Sequence, residues 1–408
     1  MNSSWRNKYD ELKEYIVTHP TIEIKPSVTV IPDEVRPDFY RLFNMVRTEY
    51  IKEAYPSLLT EATVLSTKYA EVRKETLSRL SLEAIEVNPN LGWFLRDPMD
   101  GLTRKLFDPL FDLLQGKIDV GGFELLASKI LKDSARNFMH RGYLNWVTLS
   151  LISLMAPDGA YLVPVPDETI DPELVPVDSY PGEFFQEIPD LVELKKLSLD
   201  VCEFTLLLVP QVILHSDRLK VFVSMRTDFH DVYFKAYELF DNITSMEWYR
   251  IEDIRARYGI AHLWPDIGIY LNGAGKELRV VADYLYIARP DIVIDVMENS
   301  DWYESGGMEI VKRHNEILKP RLGSFVICCE PIPQTVMKEL EPNQQPQEIT
   351  IASEEGIGQS TGQRIVDLNK LSAGVNKSPV NIHLLDAGYD VCKLKPIIDA
   401  MAGLIAIE

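Results

Sequence analysis

Cysteine is scarce in this chain. Its 408 residues include four, Cys202, Cys328, Cys329 and Cys392, and no two stand as a CxxC pair. That spacing excludes a cysteine zinc site and fits a reducing compartment. Long apolar runs are also missing. The longest, Trp146 to Ala156 and Phe204 to Leu214, reach about 11 residues, where a bilayer span takes about 20. The start, Met1 to Asn7, lacks the apolar segment of a signal peptide. A cytoplasmic protein with no membrane partner is therefore expected. Positive charge is in deficit too: 42 Lys and Arg stand against 62 Asp and Glu, a formal net charge of −20. Such a field repels phosphate backbones, because nucleic-acid affinity rests on Lys and Arg displacing counterions. A nucleic-acid partner would need a local basic patch on an acidic body.

What is present suffices for a packed globular protein. Hydrophobic residues make up 46% and charged residues 25%, both ordinary for a folded chain. After Pro37, the residues Phe39, Leu42, Phe43, Val46 and Tyr50 recur at helical spacing. Pro56 opens a second long helix through about Val87, as proline does in a first turn. Asp108-Pro109 starts another, and Phe123 to Trp146 adds more helical pattern. Residues 1–155 thus read as an α-helical domain. Seven prolines from Pro157 to Pro189 then interrupt any helix, so 156–191 reads as a proline-rich connector. Strand and helix signals alternate over 192–335, with strands or a buried apolar element expected at 199–214 and 218–224 and a helix over 232–257. A polar linker is expected at 336–350 and a small C-terminal subdomain at 351–408, ending in a helix near Leu394 to Leu404. The fold class is multidomain α/β: a helical N-terminal domain followed by a mixed-sheet α/β domain.

The segment from Trp264 to Pro331 carries the most information. Ile267, Ile269 and Leu271 alternate as in a strand, and Asn272-Gly-Ala-Gly-Lys is a hairpin signal. Glu277 to Ile287 reads as a second strand. Asp291 to Met297 reads as a third, apolar on both faces and hence central. Gly306-Gly307 precedes a helix from about Met308 to Leu318, and Ser324 to Cys329 closes with a strand. The order is helix, three-strand meander, helix, strand. Asp295 stands out, since a carboxylate inside a buried strand must be hydrogen-bonded, paired, metal-bound or at an open edge. The plain alternative is a strand-end residue that caps a backbone amide.

Trp264-Pro265-Asp266, then Arg289-Pro290-Asp291 through Asp295 to Ser300, then a helix and a strand ending Cys329-Glu330-Pro331, resembles the Uma-type restriction endonucleases of the PD-(D/E)XK nuclease superfamily. The resemblance implies a metal-dependent endonuclease, or a degenerate, inactive member of that fold. It places the family's carboxylates on Asp266 and Asp295, where they would bind Mg²⁺ for water activation and phosphate stabilisation. Two positions depart from the pattern. Asp295 stands where the family has Glu, and Met297 stands where the superfamily has its lysine. In the Uma-type branch that lysine lies on the following helix, where this chain offers Lys312, Arg313 and His314. At about 100° per residue, Ile310, Val311, Ile317 and Leu318 define the buried face. His314 lies at its centre and Lys312 points away. His314 is then either a catalytic assistant or a hydrogen-bonded core histidine. Lys276, Arg279, Arg289, Lys312, Arg313, Lys319 and Arg321 are candidates for phosphate contacts.

Other readings stay open. A non-catalytic assembly or protein-binding subunit fits the acidity, the missing lysine and the connector. Ile317 to Ile327 resembles the late helix–turn–strand of methyltransferases, and Gly273-Ala-Gly275 could mimic their nucleotide loop. No helix pattern follows Gly275 to supply an anion-binding N-terminus. His215, Asp217, Asp228, His230 and Asp231 form a loose group of metal-binding types. Gly356 to Gly362 is glycine-rich but lacks the Lys-Ser/Thr of a P-loop.

Overall fold

A computed structural model describes residues 3–162, 192–199, 212–219, 221–227, 248–250, 265–271, 278–281, 284–336 and 381–405. The chain opens with helix α1 (Ser4–Thr18), a hairpin of β1 (Glu23–Lys25) and β2 (Val28–Val30), and helices α2 (Arg36–Ala54) and α3 (Pro56–Arg79). Strand β3 (Ala84–Glu86) precedes α4 (Pro89–Arg96), α5 (Pro98–Lys105), α6 (Phe107–Leu114) and the 36-residue α7 (Val120–Met155). Proline occupies the first turn of α2, α3, α4 and α5, where its missing N–H is unneeded. Asn88, Asp97 and Asp119 cap α4, α5 and α7 by accepting from backbone amides of the first turn, as short polar side chains do there. The helix expected from Pro56 to Val87 stops early. Ser81 adopts a left-handed backbone, and Ala84–Glu86 pairs with a strand far along the chain.

Helix α7 is the spine of the molecule. Its first half buries one stripe, Phe123, Ala127, Leu131, Ala135 and Phe138, and leaves the other faces to solvent. From Gly142 onward it is buried all round, which a helix tolerates only inside a core. Gly142 lets neighbours pack closely there: a Cβ would lie 2.8 Å from Leu65 Cδ2 and 3.1 Å from Leu95 Cδ2, and those side chains would have to shift.

The remaining elements are β4 (Gly159–Leu162), β5 (Val192–Glu193), β6 (Lys196–Ser198), β7 (Val212–Ser216), β8 (Val221–Thr227), β9 (Trp248–Arg250), β10 (Ile267–Leu271), β11 (Leu278–Val281), β12 (Tyr284–Ala288), β13 (Ile292–Met297), α8 (Gly307–Leu318), β14 (Gly323–Cys328), β15 (Ile382–Asp386) and α9 (Lys395–Ile405). Eight strands form one mixed sheet in the order β15-β14-β13-β10-β8-β7-β4-β5. β13, β14 and β15 are mutually parallel, and the other pairings are antiparallel. This is the α/β arrangement expected after a helical N-terminal region. The segment expected as a connector opens with β4, and β15 extends the sheet.

Two local expectations differ. The expected meander of 266–271, 277–287 and 291–297 is not formed: β10 pairs directly with β13 on one edge and with β8 on the other, both antiparallel. The expected middle strand, 277–287, is instead split. Val281 pairs with Tyr284, so β11 and β12 run antiparallel to each other and join β9 in a separate three-stranded sheet. Trp248–Arg250, expected to be helical, is a strand of that sheet. Ala282 and Asp283, between the two strands, lie outside the described residues.

One continuous apolar core runs from Trp5 through α7 to the sheet and Met401. A second cluster, with Trp302, Met308, Val311, Val326 and Cys328, packs under α8 on the opposite sheet face. Among the described residues no helix is long and apolar enough to cross a membrane.

Candidate functional site

β13 lies between antiparallel β10 and parallel β14 and is buried on both faces. Side chains alternate along a strand. Ile292, Ile294 and Val296 therefore join the core on the α7 side, and Asp295 turns to α8. Asp295 is 3% exposed. His314 meets it there, Nδ1 at 2.8 Å from Oδ1. The α8 positions 311, 314 and 318 share a face by helical spacing, and Val311, His314 and Leu318 are all buried. Gly306 starts the turn into α8 at φ 94°, a conformation that glycine adopts readily. Ile310, expected on the buried face, is 52% exposed. It sits a full 100° step from Val311, and Met308 packs instead. Lys312 points to the surface beside Glu309 at 3.9 Å, and Arg313 is exposed.

Burial disfavours the charged forms of both partners in this pair. It pushes the Asp295 carboxyl up, against the pull of His314. For His314 burial acts downward, but the Asp295 charge and hydrogen bond outweigh it and the imidazole is raised. The pair thus retains a proton. Asp295 Oδ2 is sealed from solvent and has no hydrogen-bond partner.

Asp266 stands just before β10. Ile267 pairs with Ile294, and one further step of that register sets Asp266 beside Asp295. Its Oδ2 accepts the backbone N–H of Val296 at 2.7 Å. Its Oδ1 lies 3.3 Å from Nε2 of His140, which projects from α7. The other ring nitrogen of His140 is 2.8 Å from Oε2 of Glu298, directly after β13. Oε1 of that Glu298 accepts from Asn299 Nδ2. The result is a cluster at the carboxyl end of β13: Glu298–His140–Asp266 alongside Asp295–His314. The three residues singled out from sequence, Asp266, Asp295 and His314, come together here.

His140 and Glu298 went unnoticed in the sequence. His140 lies more than a hundred residues upstream, and no spacing links it to Asp266. One signal was available: it is the last histidine before the apolar run that fills the rest of α7. Glu298 could have been found as the first polar side chain past a buried parallel strand, the place where α/β sheets hold ligands.

The His140 side chain is 34% exposed. Burial lowers its basicity, but Asp266 and Glu298 more than offset this and hold it well above the ordinary histidine range. A folded-state pKa above the unfolded value, near 6.5, means that the native state binds the extra proton. The stabilisation is complete below about 6.5 and is lost as pH rises through the folded value. His314 acts with the same sign. His383, lowered by burial, acts oppositely and below about 6.5. Thermal melting in EDTA should therefore fall progressively as pH is raised from neutral, and His140→Gln should flatten that slope. A wild-type profile that is level above neutral pH would contradict the assignment.

Most of the basic residues expected to contact phosphate serve the fold or lie elsewhere. Arg289 Nε donates to the Lys319 carbonyl at 2.6 Å, and Arg321 pairs with the buried Asp291. Asp291 also accepts the Leu271 amide at 2.6 Å. These contacts lie at the amino end of β13, the far end from Asp266. Arg279 belongs to β11 in the separate sheet, and Lys276 lies outside the described residues. So do Gly273, Gly275, Asp228, His230, Asp231 and residues 356–362. His215 and Asp217 are described and are joined by Asp158. His215 Nδ1 is 2.9 Å from Asp158 and 4.0 Å from Asp217. Among the described residues, this is the group in which three possible metal-ligand atoms lie within 4.8 Å of one another. No family model, no curated protein and no solved structure matches the chain.

Proposed function

We propose that this chain is a non-cleaving binding protein on a nuclease-like sheet, a degenerate form of the metal-dependent endonuclease its sequence resembles. One observation carries the reading: each carboxylate that the resemblance assigns to Mg²⁺ is already matched by a histidine of the chain. Asp295 is sealed against His314, and Asp266 divides its oxygens between the Val296 amide and His140. A divalent cation needs deprotonated, accessible oxygens. Burial instead pushes the Asp295 carboxyl toward its protonated form. The residues therefore do not fit Mg²⁺, and no hydrolytic step is assigned to them. What they do is fix geometry: the Asp266–Val296 bond ties the start of β10 to β13, and Asp295–His314 ties α8 to the sheet.

A metal-dependent endonuclease is the competing reading. Its support is Asp295 Oδ2, a buried oxygen with no partner. Incubation of supercoiled plasmid with Mg²⁺ or Mn²⁺ decides between them. The expected result is no cleavage above buffer by wild type or Asp295→Ala, and no shift of the melting temperature by either metal. Metal-dependent cleavage by wild type that Asp295→Ala abolishes would overturn the proposal.

A further inference from the structure

Many cations of the helical half are held by carboxylates. Arg6, Lys8, Lys13, Lys25, Arg36 and Arg41 each pair with a carboxylate. So do Lys52, Lys68, Arg79, Arg104 and Lys117. Arg73, Lys74 and Arg96 stand outside these pairs, and so do three residues of α7 that line up along the helix. Lys129, Lys132 and Arg136 are exposed, and among the described residues no hydrogen bond or ion pair engages their side chains. Steps of three, four and four residues connect them to His140, so all four share one face of the helix. At 1.5 Å per residue the line from Lys129 to His140 is about 16 Å long. Leu125, 76% exposed, extends it by one further turn. Asp133 is the acidic group on the edge of this face.

We infer that this face of α7 is the binding track for the sugar–phosphate backbone of a single-stranded nucleic acid, running toward the His140 cluster. The inference rests on the nuclease-like reading for its choice of a phosphodiester chain over other polyanions. Three unpaired cations at steps of about 4.5 and 6 Å along the helix form a line for successive phosphates of an extended strand. Leu125 gives a base an apolar contact that needs no sequence readout. Charge favours one strand over two. A duplex carries about twice the charge per unit length and is wide, so its second strand would lie over a body whose net charge is −20. A single strand can keep to the stripe.

Fluorescence anisotropy with a labelled oligothymidylate, in EDTA and across a salt series, tests this. The wild type should bind the single strand and should bind the matching duplex more weakly. The variant Lys129→Gln/Lys132→Gln/Arg136→Gln should lose at least tenfold in affinity at low salt. Its log–log salt slope should shrink by about 2, at roughly 0.7 per phosphate contact removed. The three side chains are exposed, so an unchanged melting temperature will show that the variant is folded. Unchanged affinity and slope in the variant, a preference of the wild type for duplex, or no binding by the wild type would each overturn the inference. Metal plays no part in this measurement. Plasmid cleavage together with stripe-dependent binding would refute the non-cleaving reading alone, and the converse result would refute the track alone.

Discussion

Replacing His314 with alanine is expected to destabilise the protein by about 3–5 kcal/mol, the range for removing one member of a buried ion pair. The loss is not the worth of the hydrogen bond. Asp295 stays in the sheet, 3% exposed, with Oδ2 already unpartnered and Oδ1 now stripped of its donor. The neighbours Val326, opposite it on β14, and Val311, one helical turn from position 314 on α8, carry no side-chain donor. Asp295 must then fold protonated or not at all. The double change His314→Leu/Asp295→Leu should recover much of the loss, because apolar groups of similar volume remove the desolvation cost from both sides. Urea unfolding monitored by circular dichroism measures both. A loss below about 1 kcal/mol for His314→Ala would show that the pair is not sealed as described.

Trp146→Ala is expected to cost a similar amount, about 3–5 kcal/mol for a fully buried large aromatic, and to affect both halves of the chain together. Trp146 lies on α7, stacked on Tyr143 at 5.6 Å and 5° and edge-on to Tyr389 at 5.4 Å and 79°. Tyr143 in turn donates to the Gly388 carbonyl at 2.9 Å. Residues 388 and 389 follow β15 at the end of the sheet, so this aromatic group fastens the central helix to the last strand. Since the apolar core is continuous, differential scanning calorimetry should show one transition that moves as a unit in the variant. Two resolved transitions, only one of them shifted, would contradict a shared core.

The sequence was most legible where a pattern is local. Helical stripes after Pro37 and Pro56, the buried run at 292–297 and the inward face of His314 all follow from spacing within one element. The carboxylate in that run demanded a partner on energetic grounds alone, and the partner is the histidine that the helical wheel pointed to. Pairing between distant elements was less legible. Asn272-Gly suggested a hairpin between neighbouring strands, yet β10 returns to β13, because strand order is decided by which faces must be buried together. His140 illustrates the same limit at the site. Its role depends on α7 passing the carboxyl end of β13, and no residue type near position 140 announces that crossing. Ile310 shows the limit within a helix: a one-residue step moved it from the expected core to the surface.

β11 and β12 of the small sheet separate, along the chain, two strands that are neighbours in space. β10 and β13 bring Asp266 and Asp295 together, yet β11 and β12 between them belong to the separate sheet, where they pair with each other and β12 pairs with β9. Closing a longer loop costs only about 0.6 kcal/mol for each doubling of its length. The connection from β10 to β11 can thus change length at little cost, while Asp291 and the strand pair that frames the cluster keep their register.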